Sequence, residues 1–378
     1  MTPGAIPGVW LPGTDPGRRQ FAQVAAEGAG PFGLEAGGQL PQVTVAYETW
    51  GELNAERSNA VLVLHALTGD SHAVGPVEPG HPSPGWWGGM IGPKAPIDTD
   101  RYFVVCPNVL GGCQGTTGPA SAGPDGLPYG SRFPVITIRD QVAVEVALAD
   151  HLQVGQWSAV VGGSMGAMRG LEWCIDYPQR VRRAVIVSVG AAASADEIAL
   201  CSLQVRAIRA DPAYAGGDYY ATGARPVEGL ALARGIGQIS YRTATEFASR
   251  FGHAAQAAEE PLKGGRYAVE SYLEHHGEKL AERFDPNSYI VLSEAMNSHD
   301  VGRGRVGIES ALRRIKAPVS LAGIVSDRLY PIELQRELAR LIPGAGPVTP
   351  IESPFGHDGF LLEVDQVGAV VAAALAEP

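Results

Sequence analysis

The alternation of short, β-branched apolar runs with helical patterns in the first half of the chain is the feature that most constrains its fold. Strands are predicted at residues 60–64, 102–106, 158–162 and 184–189, with helices between them at 140–152 and 165–177. Strands that alternate with helices in this way are typical of a parallel sheet covered by helices on both faces. The sequence therefore predicts an α/β fold with a mostly parallel sheet.

The pattern changes after Gly190, where strand-like runs disappear over a long stretch. Ala-rich helical segments follow at residues 197–210, 227–241, 243–251 and 286–299. Strands are predicted again at 318–324 and 348–352, and a final helix at 365–375. Because strands lie on both sides of the helical block, one interrupted sheet is favoured over two independent domains. We therefore predict a discontinuous core, residues 1–191 and 315–378, with a helical cap, residues 192–314, inserted in it.

The balance of charge argues against nucleic acid as the main partner. The 378 residues include 29 Lys and Arg against 40 Asp and Glu, a formal net charge of −11, whereas binding to phosphate backbones requires clustered basic residues. With 45% hydrophobic and 18% charged residues, the composition is that of a globular chain. The sequence therefore predicts a folded protein with a large core.

The apolar stretches of the sequence are too short to span a membrane. The longest nearly uncharged ones, residues 184–195 and 367–376, fall well short of the roughly 20 residues that a membrane helix needs. Residues 1–20 lack the cationic segment and apolar run of a secretion signal. The four cysteines lack the spacing of a disulfide framework. We therefore expect a cytoplasmic protein with reduced thiols.

Residues 162–166 read Gly-Gly-Ser-Met-Gly, a G-x-S-x-G pattern. In the α/β-hydrolase fold this pattern forms a sharp strand-to-helix turn that holds a nucleophilic serine at the top of the sheet. A bare match arises easily by chance in a glycine-rich chain, and the alternative is a turn with an ordinary serine. Here the pattern follows predicted strand 158–162 directly and opens predicted helix 165–177. This context predicts that Ser164 is a nucleophile.

A nucleophilic serine requires a histidine base and an orienting carboxylate, which follow it in the chain order Ser, Asp or Glu, His in this fold. His357 is the histidine that lies beyond the last predicted strand, in a loop of small residues, and Asp327 follows predicted strand 318–324. The alternatives are a solvent-exposed loop histidine and a helix N-cap aspartate, with Asp358 and Glu352 as rival acids. Chain order and topology together favour His357 and Asp327.

The oxyanion of an acyl-transfer intermediate is held by two backbone N–H groups. One comes from the residue after the nucleophile, here Met165, and the other from a loop after an earlier strand. Predicted strand 60–64 runs into His65-Ala66-Leu67-Thr68-Gly69, so the N–H of Leu67 is the second candidate. We expect His65 itself to be structural.

Two other motifs are weak. Gly302, Gly304 and Gly307 form a literal G-x-G-x-x-G, but no strand precedes them, so dinucleotide binding is not expected. Adjacent His275 and His276 point in different directions on a helix, and no ligand spacing surrounds them. We expect no metal site and no permanently bound cofactor.

Seven segments, in order, resemble the homoserine O-acetyltransferase family of the α/β-hydrolase fold. They are HALTGDSH (65–72), NVLGGCQGTTGP (108–119), GGSMGAMRGLEW (162–173), YLEHHGEK (272–279), NSHDVGRGR (297–305), SDRLYP (326–331) and GHDGF (356–360). The resemblance covers the chain from about residue 40 to residue 375. It implies Ser164, Asp327 and His357 as the triad, with acyl groups drawn from acyl-CoA.

The resemblance also implies substrate-binding residues. Arg234 matches the family arginine that grips the amino-acid carboxylate, and Asp358 matches the carboxylate that receives the ammonium group; Tyr241 is a further candidate for the same pocket. Arg suits the first role because its guanidinium clamps a carboxylate with two hydrogen bonds. Arg234 lies two residues from both Leu232 and Ile236, so it is predicted to face away from that apolar stripe. The alternative is a solvated helix arginine.

The implied activity moves an acetyl group from acetyl-CoA to the side-chain hydroxyl of L-homoserine through a Ser164 acyl-enzyme, giving O-acetyl-L-homoserine for methionine biosynthesis. Three alternatives remain: transfer of succinyl or acylation of serine, a plain serine esterase, and a catalytically inactive interaction module. The resemblance further implies a homodimer formed through the helical caps. Arg303 and Arg305 are the candidates for holding the phosphates of coenzyme A.

Overall fold

The structure of the chain is a computed structural model that describes residues 7–25 and 30–376. Residues 1–6 and 377–378, at the two ends of the predicted core, lie outside the described residues, as does the first part of the stretch considered for a secretion signal. The strands, in chain order, are β1 Gln20–Ala25, β2 Phe32–Gly33, β3 Gln39–Leu40, β4 Val43–Trp50, β5 Ala60–Leu64, β6 Ile91–Gly92, β7 Ile97–Asp98, β8 Phe103–Pro107, β9 Ala159–Gly163, β10 Ala184–Val187, β11 Val319–Ile324 and β12 Thr349–Ile351.

The helices fall into two groups, those that flank the sheet and those between β10 and β11. In chain order they are α1 Ile138–His151, α2 Met165–Asp176, α3 Ala195–Ala210, α4 Val227–Tyr241, α5 Ala244–Arg250, α6 Ala268–Arg283, α7 Pro286–Asn297, α8 Ile308–Leu312, α9 Ile332–Leu341, α10 Gly359–Leu362 and α11 Val364–Ala376. Short 3₁₀ turns lie at Gly130–Arg132, Pro212–Gly217, Tyr219–Ala221, Pro261–Lys263 and Gly356–Asp358.

Eight strands form one sheet in the order β1-β4-β8-β5-β9-β10-β11-β12. The strands from β8 to β12 run parallel, whereas β1 pairs with β4 and β4 with β8 in antiparallel fashion. The predicted α/β fold with a mostly parallel sheet is confirmed. The antiparallel strands β1 and β4, which precede the first predicted strand, were not predicted.

The core lies on both faces of the sheet. On one face Leu62 and Leu64 pack with residues of α1 and α2, and on the other Val61 and Val63 pack with residues of α11. Because side chains alternate between the two faces of a strand, an apolar run such as β5 is buried on both sides only when helices cover both faces. This packing brings the carboxyl ends of β5, β9, β11 and β12 together at one edge.

Residues 192–314, the predicted cap and called the cap segment below, contain helices α3–α8. Helix α3 packs against α4 and α7, and α4 packs against α6. From the sequence, His275 and His276 were placed on a helix, but no bounds were predicted for α6, whose buried residues, Tyr272, Gly277, Leu280 and Ala281, are few and interspersed with charged ones. The bounds of the cap as a separate unit stay a prediction.

Cys106, Cys113, Cys174 and Cys201 are all buried and free, as expected. Burial raises the pKa of Cys113 to about 12. Among the described residues, no single helix has the length and apolar composition to cross a membrane; the pair Gly356–Leu362 and Val364–Ala376 meets those criteria only when joined across a 63° bend.

Candidate active site

The turn between β9 and α2 holds Ser164 in a strained backbone conformation. Ser164 has φ 56° and ψ −127°, a region that residues with a side chain seldom adopt. A Cβ added to Gly166 would lie 2.0 Å from the carbonyl oxygen of Leu64, and one added to Gly162 would lie 2.5 Å from the backbone of Gly166. Both glycines of the pattern are therefore sterically required, and the turn projects the hydroxyl of Ser164 away from the sheet.

Ser164, His357 and Asp327 form one hydrogen-bonded chain. Nε2 of His357 lies 2.9 Å from Oγ of Ser164, and Nδ1 lies 2.7 Å from Oδ2 of Asp327. The other carboxylate oxygen of Asp327 accepts the backbone N–H groups of Leu329 and Tyr330, each at 2.9 Å. Asp327 thus caps the local backbone and also orients the imidazole. Its predicted place in the triad and the alternative, a capping aspartate, are therefore compatible.

The surroundings of His357 favour its protonated form. Burial acts to lower its pKa, but the charge of Asp327 and the hydrogen bond to it outweigh burial and raise the pKa above 6.5. The rings of Tyr330 and Phe360 pack at 5.0 Å and 5.3 Å from the imidazole. An imidazole held in this way is able to accept the proton of a serine hydroxyl, and a carboxylate placed like that of Asp327 stabilises the resulting cation.

The two predicted oxyanion donors lie beside Ser164. Met165 is the first residue of α2, so its N–H has no acceptor within the helix and points out of the helix N-terminus. Leu67 lines the cavity that contains Ser164. The loop of Leu67 is held from two sides, because Arg169 donates to the carbonyl of His65 and Nη1 of Arg283 donates to that of Thr68 at 2.9 Å.

The structure places His65 as a structural residue. Its Nδ1 donates to the carbonyl of Ala66 at 2.8 Å, and its Nε2 accepts the N–H of Val109 at 3.0 Å. Burial, together with the charge of Arg169, lowers the pKa of His65 to about 3. A neutral, fully bonded histidine of this kind fixes the loop and takes no part in proton transfer.

Ser164 opens onto a cavity of about 620 Å³, counted to its solvent-exposed mouth. Its walls also carry Arg234, Asp358 and Tyr241, the three predicted substrate-binding residues. The guanidinium of Arg234 lies 5.4 Å from the centre of the Tyr241 ring. Arg234 and Asp358 therefore place a cation and a carboxylate in the cavity of Ser164, the charge pattern that complements an amino-acid zwitterion.

Arg234 reaches the cavity, but the reason predicted from the sequence is wrong. Leu232, expected on a buried apolar stripe, is 60% exposed. The buried face of α4 instead contains Leu230, Ala233 and Gly237, and Arg234 lies beside them at helical spacing. Arg234 faces the cavity because it belongs to the inner side of α4.

Glu197 and Tyr330 also belong to the site and were missed from the sequence. Glu197 lines the cavity although it is only 1% exposed, and the hydroxyl of Tyr330 donates to its carboxylate at 2.5 Å. Burial raises the pKa of Glu197 to about 7. The spacing Ser194-x-x-Glu197 marks the start of a helix, but no sequence pattern shows that this glutamate turns inward beside the triad.

The candidates for the phosphates of coenzyme A lie elsewhere. Arg305 is largely buried and bonded to Glu172 at 2.6 Å and to Asp176. Arg303 bonds to Glu35 at 2.8 Å. Neither arginine lines the cavity of Ser164 or the groove that adjoins it. The glycines at 302, 304 and 307 lie on a turn after α7, with no strand before them.

A buried cluster outside the site combines Glu48, His72 and His81. Glu48 accepts from Nδ1 of His72 and from the hydroxyl of Ser71, both at 2.9 Å, while Nε2 of His81 accepts the N–H of Arg18 at 3.0 Å. The two imidazoles stack with centroids 3.9 Å apart. These three side chains carry atoms of the kind that bind metals. Hydrogen bonds within the protein engage Glu48, Nδ1 of His72 and Nε2 of His81, whereas buried Nδ1 of His81 has no hydrogen-bond partner among the described residues.

Comparisons with known proteins agree with this geometry. A family model described as the alpha/beta hydrolase fold matches residues 59–363. The homoserine O-acetyltransferase of Thermobifida fusca (strain YX) is 58% identical over 371 residues, which cover 98% of this chain and 97% of that protein. The homoserine O-acetyltransferase of Mycolicibacterium smegmatis (strain ATCC 700084 / mc(2)155) is 55% identical over 346 residues, 92% of this chain and 91% of that protein.

Solved structures show the same fold. The crystal structure of homoserine O-acetyltransferase from Bacillus anthracis matches with a TM-score of 0.86 at 28% identity, covering 95% of this chain and 97% of that one. Esterase E22 matches with a TM-score of 0.85, also at 28% identity, over 94% of this chain and 99% of that one. The two solved structures match this chain about equally well, so they do not distinguish a transferase from an esterase. The identities of 58% and 55% to the two homoserine O-acetyltransferases above do: the chain belongs to the homoserine O-acetyltransferase family of the alpha/beta hydrolase fold.

Proposed function

We propose that this enzyme transfers an acetyl group from acetyl-CoA to the side-chain hydroxyl of L-homoserine through an acyl-enzyme on Ser164. The observation that carries the proposal is the hydrogen-bonded chain from Ser164 through His357 to Asp327, which opens onto a cavity that also presents Arg234 and Asp358. The activity named for the relatives at 53–58% identity supports the choice of substrates.

In the first half-reaction Ser164 attacks the thioester carbonyl. Nε2 of His357 takes the hydroxyl proton while the new C–O bond forms, and the N–H groups of Leu67 and Met165 stabilise the oxyanion. The C–S bond then breaks, and the thiolate of coenzyme A leaves with the proton that His357 returns. The acetyl group remains on Ser164.

In the second half-reaction the hydroxyl of homoserine takes the place of the thiol. Arg234 binds the carboxylate of the amino acid and Asp358 its ammonium group, with Tyr241 as a wall of the pocket. His357 removes the hydroxyl proton, the oxygen attacks the acetyl carbon, and Ser164 leaves with the proton from His357. Positioning of this kind is worth an effective concentration of about 10⁵ M or more, enough for an alcohol to compete with water.

The plain esterase is the rival that the structural likeness to esterase E22 supports. An esterase needs the triad and the oxyanion donors but no paired cation and carboxylate beside them. Transfer of succinyl or acylation of serine needs the same machinery as the proposed reaction. An inactive interaction module would leave Ser164 unmodified in the presence of donor.

One experiment separates these alternatives. The enzyme is incubated with acetyl-CoA or succinyl-CoA, and intact mass spectrometry is used to find the acyl group on Ser164. Homoserine, serine or water is then supplied as acceptor, and the products are quantified. We expect an acetylated Ser164 that is discharged fastest by homoserine. Discharge at the same rate with and without an amino acid would support the esterase and contradict the proposal.

We also propose that the enzyme acts in the cytoplasm as a homodimer that forms through the cap segment. Exposed apolar side chains support this assembly: Leu203 on α3 is 51% exposed, and Leu232 and Ile239 on α4 are 60% and 49% exposed. Leu232 and Ile239 lie on one face of α4 because seven residues make nearly two helical turns. Sedimentation of Leu232→Glu beside the unchanged protein is expected to show a shift from dimer to monomer.

A further inference from the structure

A groove next to the active-site cavity is lined by arginines. Arg234, Arg242 and Arg250 share it with Tyr272 and His276, and the groove has a volume of about 600 Å³, counted to its solvent-exposed mouth. We call it the arginine groove. It adjoins the cavity of Ser164, because Arg234, Asp358 and Leu361 line both.

We propose that the arginine groove binds the phosphate groups of the acyl-CoA donor, with Arg250 as a principal contact. This inference rests on the proposed function, since it assigns a subsite to the donor of that reaction. Arg303 and Arg305, the candidates from the sequence, are engaged in other ion pairs.

The charges of the groove do not cancel. Arg242 pairs with Glu246 at 2.9 Å and with Asp358 at 3.4 Å, and Arg250 shares the same Glu246 at 3.6 Å. Arg234 forms no ion pair with a described residue. Three guanidinium groups thus face two carboxylates, in a chain whose net charge is −11. A locally positive groove on an acidic protein attracts a polyanion that the rest of the surface repels.

The lowered pKa of His276 reflects the same positive potential. Burial lowers its pKa to about 4, and the charges of Arg234, His275, Lys279 and Arg242 act in the same direction. The imidazole is therefore neutral at pH 7. Nδ1 of His276 lies 3.0 Å from the side-chain amide of Gln238. With His276 neutral, the three arginines are the cationic groups among the residues that line the groove.

Arg250 is an arginine of the groove whose N–H donors form no hydrogen bond with another described residue. Its side chain is 49% exposed, and its guanidinium lies 4.7 Å from the centre of the Tyr272 ring and 4.9 Å from that of Phe251. No hydrogen bond joins it to another described residue. A guanidinium has five N–H donors and binds phosphate with two of them at a time. Arg250 lies beside two rings and keeps these donors available to a phosphate.

The amino acid does not account for the spare charge. A zwitterion carries one charge of each sign, which Arg234 and Asp358 already match under the proposed function. The donor carries a diphosphate and a ribose phosphate, far from the reacting thioester at the other end of a long flexible arm. A cationic groove that leads to the catalytic cavity fits a ligand of this form.

The test compares two donors that differ in their phosphates. Initial rates are measured with acetyl-CoA and with S-acetylpantetheine, which has the same thioester and no phosphate, in the unchanged enzyme and in Arg250→Gln. We expect the KM for acetyl-CoA to rise about three- to tenfold in Arg250→Gln, as for loss of one partly exposed charged hydrogen bond. The KM for S-acetylpantetheine stays unchanged. Arg250→Lys is expected to recover part of the loss.

Arg313→Gln is the matched control, because Arg313 is also an exposed arginine paired with the glutamate four residues before it. It should change neither KM. Loss of activity by Arg250→Gln with both donors, or with neither, would overturn the phosphate assignment. Failure of the unchanged enzyme to form an acyl-enzyme with either donor would instead refute the proposed function, so the two failures are distinguishable.

Discussion

The triad and the arginine groove adjoin one another but are built in opposite ways. Ser164, His357 and Asp327 are buried, and both oxygens of Asp327 have partners. In the groove, Arg250 is half exposed and shares its one carboxylate with Arg242. The difference teaches that the three proposed catalytic residues are held in place by hydrogen bonds within the protein, whereas the groups proposed to recognise the donor keep unsatisfied charge for it.

The largest effect is expected from Ser164→Ala. Loss of the nucleophile removes the acyl-enzyme and lowers kcat/KM by about 10⁴-fold or more, while donor affinity, which we assign to the groove, remains. The measurements are rates of acetyl transfer and equilibrium binding of coenzyme A.

Ser188→Ala is the control for Ser164→Ala. Ser188 is also buried and has a similar φ of 50°, but it is not among the residues that line the cavity. Its removal should leave the rate unchanged. A fall in coenzyme A affinity in Ser164→Ala as large as the fall in rate would mean that the two regions are not separable.

Asp327→Asn is expected to lower kcat/KM by about 10³- to 10⁴-fold, as loss of the carboxylate does in other triads. The amide no longer favours the required tautomer of His357 or stabilises its cation. Glu352→Gln tests the rival acid; Glu352 is exposed and should be replaceable without loss. Equal losses in the two variants, measured as acyl-enzyme formation in a single turnover, would contradict the assignment of Asp327.

Arg234→Gln tests whether the catalytic cavity and the arginine groove act separately, because Arg234 lines both. We expect the KM for homoserine to rise about 10- to 100-fold through loss of a charged, two-point contact. Acyl-enzyme formation should change far less, so that hydrolysis gains on transfer. The control is Arg206→Gln, an exposed arginine on α3. Unchanged ratios of transfer to hydrolysis in Arg234→Gln would show that Arg234 does not hold the amino acid.

The smallest expected effect concerns pH. Because Asp327 raises the pKa of His357 above 6.5, the rate of acylation should fall about tenfold per pH unit below that raised pKa, as the base becomes protonated. The pKa of Glu197 is raised to about 7, so its protonation is the competing explanation for this fall in rate at low pH, the acid limb of the profile. Glu197→Gln should therefore keep the limb. Its disappearance from the pH profile of that variant would assign the ionisation to Glu197.

Several strands and helices were predicted from the sequence within a residue or two. Strand β9 and helix α2 occur at Ala159–Gly163 and Met165–Asp176, against predicted ranges 158–162 and 165–177. Local sterics and hydrophobic period suffice for such elements. Helix α9, Ile332–Leu341, and the antiparallel strands β1 and β4 were not predicted, although the apolar residues of α9 recur at helical spacing and β4 is the longest strand of the sheet.

The candidate site likewise contains residues that the sequence predicted and residues that it did not. Ser164, Asp327 and His357 follow from a turn that only glycine permits and from the chain order of the fold, and the structure brings them within hydrogen-bond distance. Glu197 and Tyr330 carry no such pattern. Tyr330 follows β11 in the core, and Glu197 reaches it only because helix α3 of the cap segment packs close to the triad.

The sequence by itself determined the family, the fold and the order of the chemically reactive residues, because these depend on local turns, periodicity and chain order. Only the tertiary structure decided which side of α4 faces the cavity, which arginines are already neutralised and which retain free charge. Arg305 and Arg250 look alike in the sequence, yet one is buried between carboxylates and the other lies open in the groove. Charge compensation is a property of neighbours in space, and those neighbours come from distant parts of the chain.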